Sequence, residues 1–274
     1  MFVEDKQNQG LRIAVVIADS PGEPFAAIRD ALHPLIWDKL SLSGVDVFYV
    51  KGKKSTFLQG LVNNLSESFR YSKIWPIQNL FDRILLSKYN RILPPCTVKE
   101  NLIEVEICEG LRTLGVKMLC AYSYLYRENY DYIFKTTLSS LVNESNFLEF
   151  IHKLPRNTIV YGGTPVNFGR HPFASGSNTL LSKQALGLLF RDLVHWNHGF
   201  LDDVAMGRIF EEITEITPIA SRHIDSIDEL KKVADLDLNE TIHFRCKSRV
   251  IPRIDVEIIQ ELRLRLRNLQ DESS

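Results

Sequence analysis

Cysteine is scarce and poorly spaced for chemistry. The 274-residue chain has four, Cys96, Cys108, Cys120 and Cys246, and none forms a CxxC pair. That argues against structural zinc and a dense disulfide framework, and it fits a reducing compartment. Net charge is nearly absent too, with 33 basic and 34 acidic side chains leaving −1. Such a balance provides no general affinity for nucleic acid or membrane and leaves only local patches. No run reaches the roughly eighteen apolar residues of a spanning helix. The opening MFVEDKQNQG holds no apolar signal core. A cytoplasmic chain with no transmembrane segment and no nucleic-acid partner is therefore expected. Internal repeats and low-complexity tracts are lacking as well.

What is present is material for a large core, since 45% of residues are hydrophobic. Residues 1–10 read as a disordered lead-in and 11–274 as one domain. Leu11 to Ile17 is a short apolar run suited to a buried strand, halted by the turn residues Ala-Asp-Ser-Pro-Gly. Phe25, Ile28, Leu32 and Ile36 then recur at helical spacing, and Val45 to Val50 reads as a second strand. This β-α-β opening predicts an α/β fold with a mixed, mostly parallel central sheet flanked by helices. Ligands of such sheets bind beyond the carboxyl ends of strands, where Asp19 and Ser20 fall.

Residues 52–95 show no clear period and are expected to be irregular. A long helix is expected from about Glu100 to Tyr126, with Leu111, Leu114, Met118, Tyr122 and Leu125 on one stripe. Tyr132 to Phe134 reads as a strand, residues 147–154 as a helix before Pro155, and Thr158 to Tyr161 as another strand. Ser182 is placed to cap a helix carrying Leu186, Leu189, Phe190 and Leu193. Further helices are expected around Val204 to Ile213 and over 255–269, the last with Ile258, Leu262, Leu266 and Leu269 on one side.

Four segments follow one another in a suggestive order: GLRTLGVKML (110–119), YIFKTTLSSLVN (132–143), FASGSNTLLSKQAL (173–186) and LDDVAMG (201–207). Together they resemble the GT-A glycosyltransferases of the β1,3-galactosyltransferase and Fringe type over roughly residues 100–210. Those proteins show a Lys-bearing helix, a strand ending in KTDDDVFVN, a Ser-Gly turn and an (E/D)DVxxG motif. The resemblance implies a GT-A, Rossmann-like fold, a nucleotide-sugar donor such as a UDP-sugar, and a saccharide acceptor. It departs at the DxD carboxylates that hold a divalent cation in that family. Here the positions read Thr137, Leu138 and Ser139, or Thr136 to Leu138 with a one-residue slip, and none is acidic. In this the chain looks closest to bacterial and viral relatives with Asn-Leu-Ser-Ser at that place. A hard cation loses its protein ligands there, so no metal or other cofactor is expected.

A departing diphosphate can be stabilised by basic side chains instead. His243, Arg245, Lys247 and Arg249 would share one side of an extended HFRCKSR segment. The alternative is a solvated basic strand edge. The resemblance implies Asp203 as the base of an inverting transfer, with Asp202 orienting the acceptor; alternatively both are helix N-terminal charges. It places Lys135, Thr137 and Ser139 with Asp19 and Ser20 on the donor side. Ser175, Gly176 and Ser177 would line the sugar pocket, where glycine permits close approach, or form an ordinary loop. Trp196 is either a platform under the acceptor or a partly buried aromatic. Lys117, also at a family position, is expected to be a solvated helix lysine. His195 and His198 lack companions for a metal site. Two other functions compete. One is a catalytically silent sugar- or nucleotide-binding scaffold. The other is a nucleotidyltransferase, which the acidic ADSPGEPF loop disfavours.

Overall fold

The computed structural model describes residues 10–20, 24–53, 75–168, 171–250 and 252–272. The lead-in expected before residue 10, the Pro-Gly part of the first turn, and 54–74 of the stretch expected to be irregular lie outside the described residues.

Strand β1 (Ile13–Ala18) is followed by helix α1 (Phe25–Leu32), which passes through a π-helical turn at His33–Trp37 into α2 (Asp38–Leu42). Strand β2 (Val45–Lys53) comes next. Within the stretch expected to be irregular stands a helix, α3 (Trp75–Leu86). A hairpin of β3 (Cys96–Lys99) and β4 (Leu102–Cys108) occupies the place where the long helix was expected to begin. Ile103, Val105 and Ile107 point into the core from alternate positions, and this period of two belongs to a strand. Helix α4 (Leu114–Arg127) starts only after it. Then come β5 (Tyr132–Thr137), β6 (Ser140–Val142), α5 (Glu144–Lys153), β7 (Tyr161–Gly163), β8 (Pro165–Phe168), β9 (His171–Ala174) and β10 (Asn178–Ser182). Helix α6 (Lys183–Arg191) is capped by Ser182, whose hydroxyl accepts the Ala185 N–H at 3.2 Å. The chain closes with α7 (Asp202–Phe210), β11 (Ile216–Pro218), β12 (Ser221–His223), α8 (Ile227–Lys232), α9 (Asp235–Glu240), β13 (His243–Arg245) and α10 (Asp255–Glu272).

The main sheet has eight strands in the order β11-β7-β10-β5-β1-β2-β4-β3. Only β10 and β3 run against the rest, so the sheet is mixed and mostly parallel. Successive residues of β1 point to opposite faces and enter two separate cores. Ile13, Val15 and Ile17 pack with Ile28, Trp37 and Leu262 on one side, while Ala14 and Val16 pack with Met118, Tyr122 and Leu186 on the other. Burial on both faces explains why IAVVIA shows no polar alternation. A smaller sheet, β12-β13-β6, holds the basic C-terminal segment against the residues that follow β5.

Candidate active site

The topology brings the sequence-predicted segments to one edge of the sheet. Strands β1 and β5 are parallel and end at Ala18 and Thr137, which lie side by side. Strand β10 runs the other way, with Asn178 opposite Thr136, so the Ser175–Ser177 turn reaches the same edge. Gly207 lets α7 lie close on β9, since an added Cβ there would collide with Phe173. That packing brings the amino end of α7, with Asp202 and Asp203, beside the turn.

At β1, Asp19 is buried and fully engaged. Its carboxylate pairs with Arg29 at 2.8 Å and accepts the Ser20 N–H at 2.7 Å. Its carbonyl accepts Lys117 Nζ at 2.6 Å, and Lys117 also meets Glu109 at 2.7 Å. Lys117 is thus not the solvated helix lysine expected. Its side chain is 2% exposed and locks α4 to the end of β1. Asp19, Arg29, His33, Tyr49 and Lys51 help line a cavity of about 620 Å³ beside this edge.

Lys135 on β5 forms a buried ion pair with Asp202. Asp203 is turned the other way. Its Oδ2 accepts the Gly176 N–H at 3.0 Å and its Oδ1 the Val204 N–H at 2.9 Å. An added Cβ at Gly176 would stand 2.9 Å from that Oδ2 and 3.2 Å from Lys135 Nζ, so a larger residue would displace both side-chain ends. Burial, and then the charge of Asp202, raise the Asp203 carboxyl above its ordinary value, against the opposing pull of Lys135 and the two N–H groups. Tyr122 lies in the field of the same acid pair, fully buried, with a hydroxyl that has no hydrogen-bond partner. The Ser175 and Ser177 hydroxyls bond each other at 2.9 Å.

The basic segment does not present one face. Strand β13 is three residues long, and His243 is fully buried between Thr136 Oγ1 at 3.2 Å and Ser221 Oγ at 2.8 Å. Burial, with Arg245 adding to it, depresses His243 to about 3, so it is neutral and has no charge to offer a phosphate. Arg249 pairs with Asp225 at 2.8 Å, and Lys247 is exposed. Arg245 is the member that reaches the site. It is half-buried and lies in the field of Asp203 and of Arg253, and its Nε has no partner.

Ser139, at the position matched to the acidic motif, is tied into a pair the sequence reading did not single out. Its hydroxyl donates to Asp255 at 2.6 Å and accepts Arg253 Nη2 at 2.7 Å, while Arg253 and Asp255 pair with each other. Thr137 Oγ1 meets Ser140 Oγ at 2.9 Å. The only hint in the sequence was an arginine two residues before an aspartate at a helix start. Trp196 is 3% exposed and packs against Gly115 among core residues, so its ring has no free face for a sugar. His198, bonded to Asn90 at 2.7 Å, is depressed by burial to about 4.

No protein-family model matches this chain, and no curated protein matches it in sequence. Among solved structures, the galactosyltransferase LgtC, in complex with donor and acceptor sugar analogues, aligns with a TM-score of 0.47 at 8% identity. That alignment covers 91% of this chain and 94% of the other. A glycosyltransferase involved in the glycosylation of the major capsid of PBCV-1 aligns with a TM-score of 0.42 at 10% identity, over 92% and 99% of the two chains. Neither likeness is strong enough to carry an activity or a residue role to this chain.

Proposed function

We infer that this protein is a glycosyltransferase of the GT-A type that moves a sugar from a nucleotide-sugar donor to a saccharide hydroxyl with inversion. The observation that carries this reading is Asp203: a carboxylate with a raised pKa, aimed at a glycine turn and facing a cation with an unpaired donor. Asp203 takes the proton from the acceptor hydroxyl. The acceptor oxygen attacks the anomeric carbon, and the bond from that carbon to the diphosphate oxygen breaks, its electron pair leaving with the nucleotide. Arg245 and Arg253 stabilise that leaving charge, with exposed Lys247 as a further cation at the rim. Lys135 is committed to Asp202, and its part is to hold the start of α7 in place rather than to bind donor.

The residues after β5 do not fit a divalent cation. Ser139 is already spent on Arg253 and Asp255, which offset each other's charge, and a second guanidinium, Arg245, lies near; the positive balance there suits a diphosphate rather than a metal ion. The nucleoside is assigned to the cavity beside Asp19, with Arg29 and Tyr49 at its wall; Ser20, expected on the donor side, does not line it. Asp19 itself serves as the buried anchor for Arg29.

The test is UDP release from a panel of UDP-sugars with acceptor saccharides, in EDTA. Release by wild type that disappears in Asp203→Asn supports the reading. Release that needs added metal removes the arginine assignment. If no nucleotide raises the melting temperature and none is released, the chain is a silent scaffold. The rate should also rise with pH through a value above the ordinary 3.8 of an aspartate, because the base works only when ionised.

A further inference from the structure

Helix α3 is amphipathic in the reverse sense for a helix of a globular core. Its polar side faces the body of the protein: buried Asp82 pairs with Arg112 at 3.1 Å, and the Asn79 carbonyl packs on Gly199, just before the acid pair. Its apolar side faces out. Leu80 and Ile84, and beside them Phe81 and Leu85, are one turn apart, and each is more than half exposed, from 56% to 62%. Ile92 and Val194, 78% and 65% exposed, extend the patch, with Asn90 donating to the Val194 carbonyl at 3.4 Å. A contiguous apolar patch of this kind marks an interaction surface.

Charge selects the partner. From Leu80 to Ile92 the exposed ionisable side chains are Arg83, Lys88 and Arg91, all basic. The one carboxylate in that stretch, Asp82, is turned inward to Arg112. An apolar stripe whose exposed charges from Leu80 to Ile92 are all basic, with Asp192 near Val194 held by Arg191 at 3.0 Å, matches the headgroup layer of an anionic lipid bilayer, where aliphatic groups enter the acyl boundary and lysine and arginine meet phosphate. Among the described residues no helix is long and apolar enough to cross a membrane, so the contact is interfacial. We propose that α3 and the turn after it form a docking surface for an anionic membrane, laid against the loop that leads into Asp202 and Asp203. This surface does not depend on the transferase reading, because its test measures binding and not activity.

The experiment is co-sedimentation of the full chain with vesicles of phosphatidylcholine alone and of phosphatidylcholine mixed with phosphatidylglycerol. Wild type should pellet with the anionic vesicles only, and less as salt rises. Phe81→Asn combined with Leu85→Asn should abolish pelleting with only a small fall in melting temperature, since both side chains are more than half exposed and the main loss is helix propensity. Replacing Arg83, Lys88 and Arg91 with glutamine should weaken binding about fivefold per charge removed. Wild type that stays in the supernatant with anionic vesicles overturns the proposal. So does a melting temperature lowered sharply by the asparagine pair, which would mean that the chain itself covers the face. A dimer in light scattering that the asparagine pair dissociates overturns it as well, since the face would then join two copies.

Discussion

Two buried charge clusters stand at the same edge of the sheet and differ in how completely they are satisfied. At the end of β1, Asp19, Arg29, Lys117 and Glu109 answer one another atom for atom, and the Glu109 carboxylate also accepts the Gly52 N–H at 2.6 Å. Beside it, Lys135 answers Asp202, but Asp203, Arg245 and Tyr122 share a field without closing the set. The first cluster holds β1, β2 and α4 together. The second keeps a raised carboxyl, an unpaired guanidinium nitrogen and an unpaired hydroxyl, which is what a site awaiting a polar ligand requires.

The sharpest way to break this contrast is Asp203→Asn. Transfer should fall by about 10²–10⁴ if Asp203 is the base. Stability should fall little with it. A carboxyl raised in the fold binds its proton more tightly there than in the unfolded chain. Its contribution to stability is therefore whole below the unfolded value and declines as pH rises through the folded one. Asparagine removes that decline but keeps only one of the two acceptor oxygens, so urea unfolding at neutral pH should show a loss no larger than one hydrogen bond, about 1 kcal/mol. A variant that loses activity by unfolding would make Asp203 structural, like Asp19.

Next in size is Lys135→Met. It leaves Asp202 buried without its counter-charge and should cost about 3–5 kcal/mol in urea unfolding. A loss under 1 kcal/mol would mean that the pair is not buried in solution.

Arg245→Ala sharpens the comparison from the other side. Loss of a charge-assisted contact of about 1.5–3 kcal/mol should weaken UDP binding by about 10- to 100-fold in titration calorimetry. The fold should lose little, since the guanidinium Nε bonds nothing in the protein. Unchanged UDP affinity would dismiss Arg245 as a phosphate ligand.

The smallest effect is the pH dependence of His243. Its folded value of about 3 lies below the ordinary 6.5, so the unfolded chain takes the proton first as pH falls. Stability should be full above 6.5 and drop by about 1.4 kcal/mol per pH unit below it. His243→Gln should flatten that slope in urea midpoints between pH 7 and pH 5. An unchanged slope would return His243 to the charged, phosphate-facing role.

Much of the frame could be read from residues near one another in the chain. The buried strand β1, the cap at Ser182, the last helix and the acid pair at a helix start all follow from local period or capping chemistry. The β3–β4 hairpin was legible too, in the alternation of LIEVEIC, but a helical stripe farther along drew the boundary forward to Glu100. Strand β10 was hidden because its five residues are all buried and show no alternation. The alternation expected from His243 to Arg249 failed for the reverse reason, since only three of those residues lie in a strand. The partnership of Ser139 with Arg253 and Asp255 spans more than a hundred positions, and no spacing rule reaches that far.

By itself the sequence determined the alternation of strands and helices, the glycine turn, the acid pair and the absence of carboxylates after β5, because each is a property of neighbouring side chains. Only the tertiary structure decided which charges are spent on one another and which remain open. That outcome depends on burial and on atoms brought together from distant strands, where a shift of a few ångströms turns a solvated lysine into an internal lock or a basic histidine into a neutral wedge.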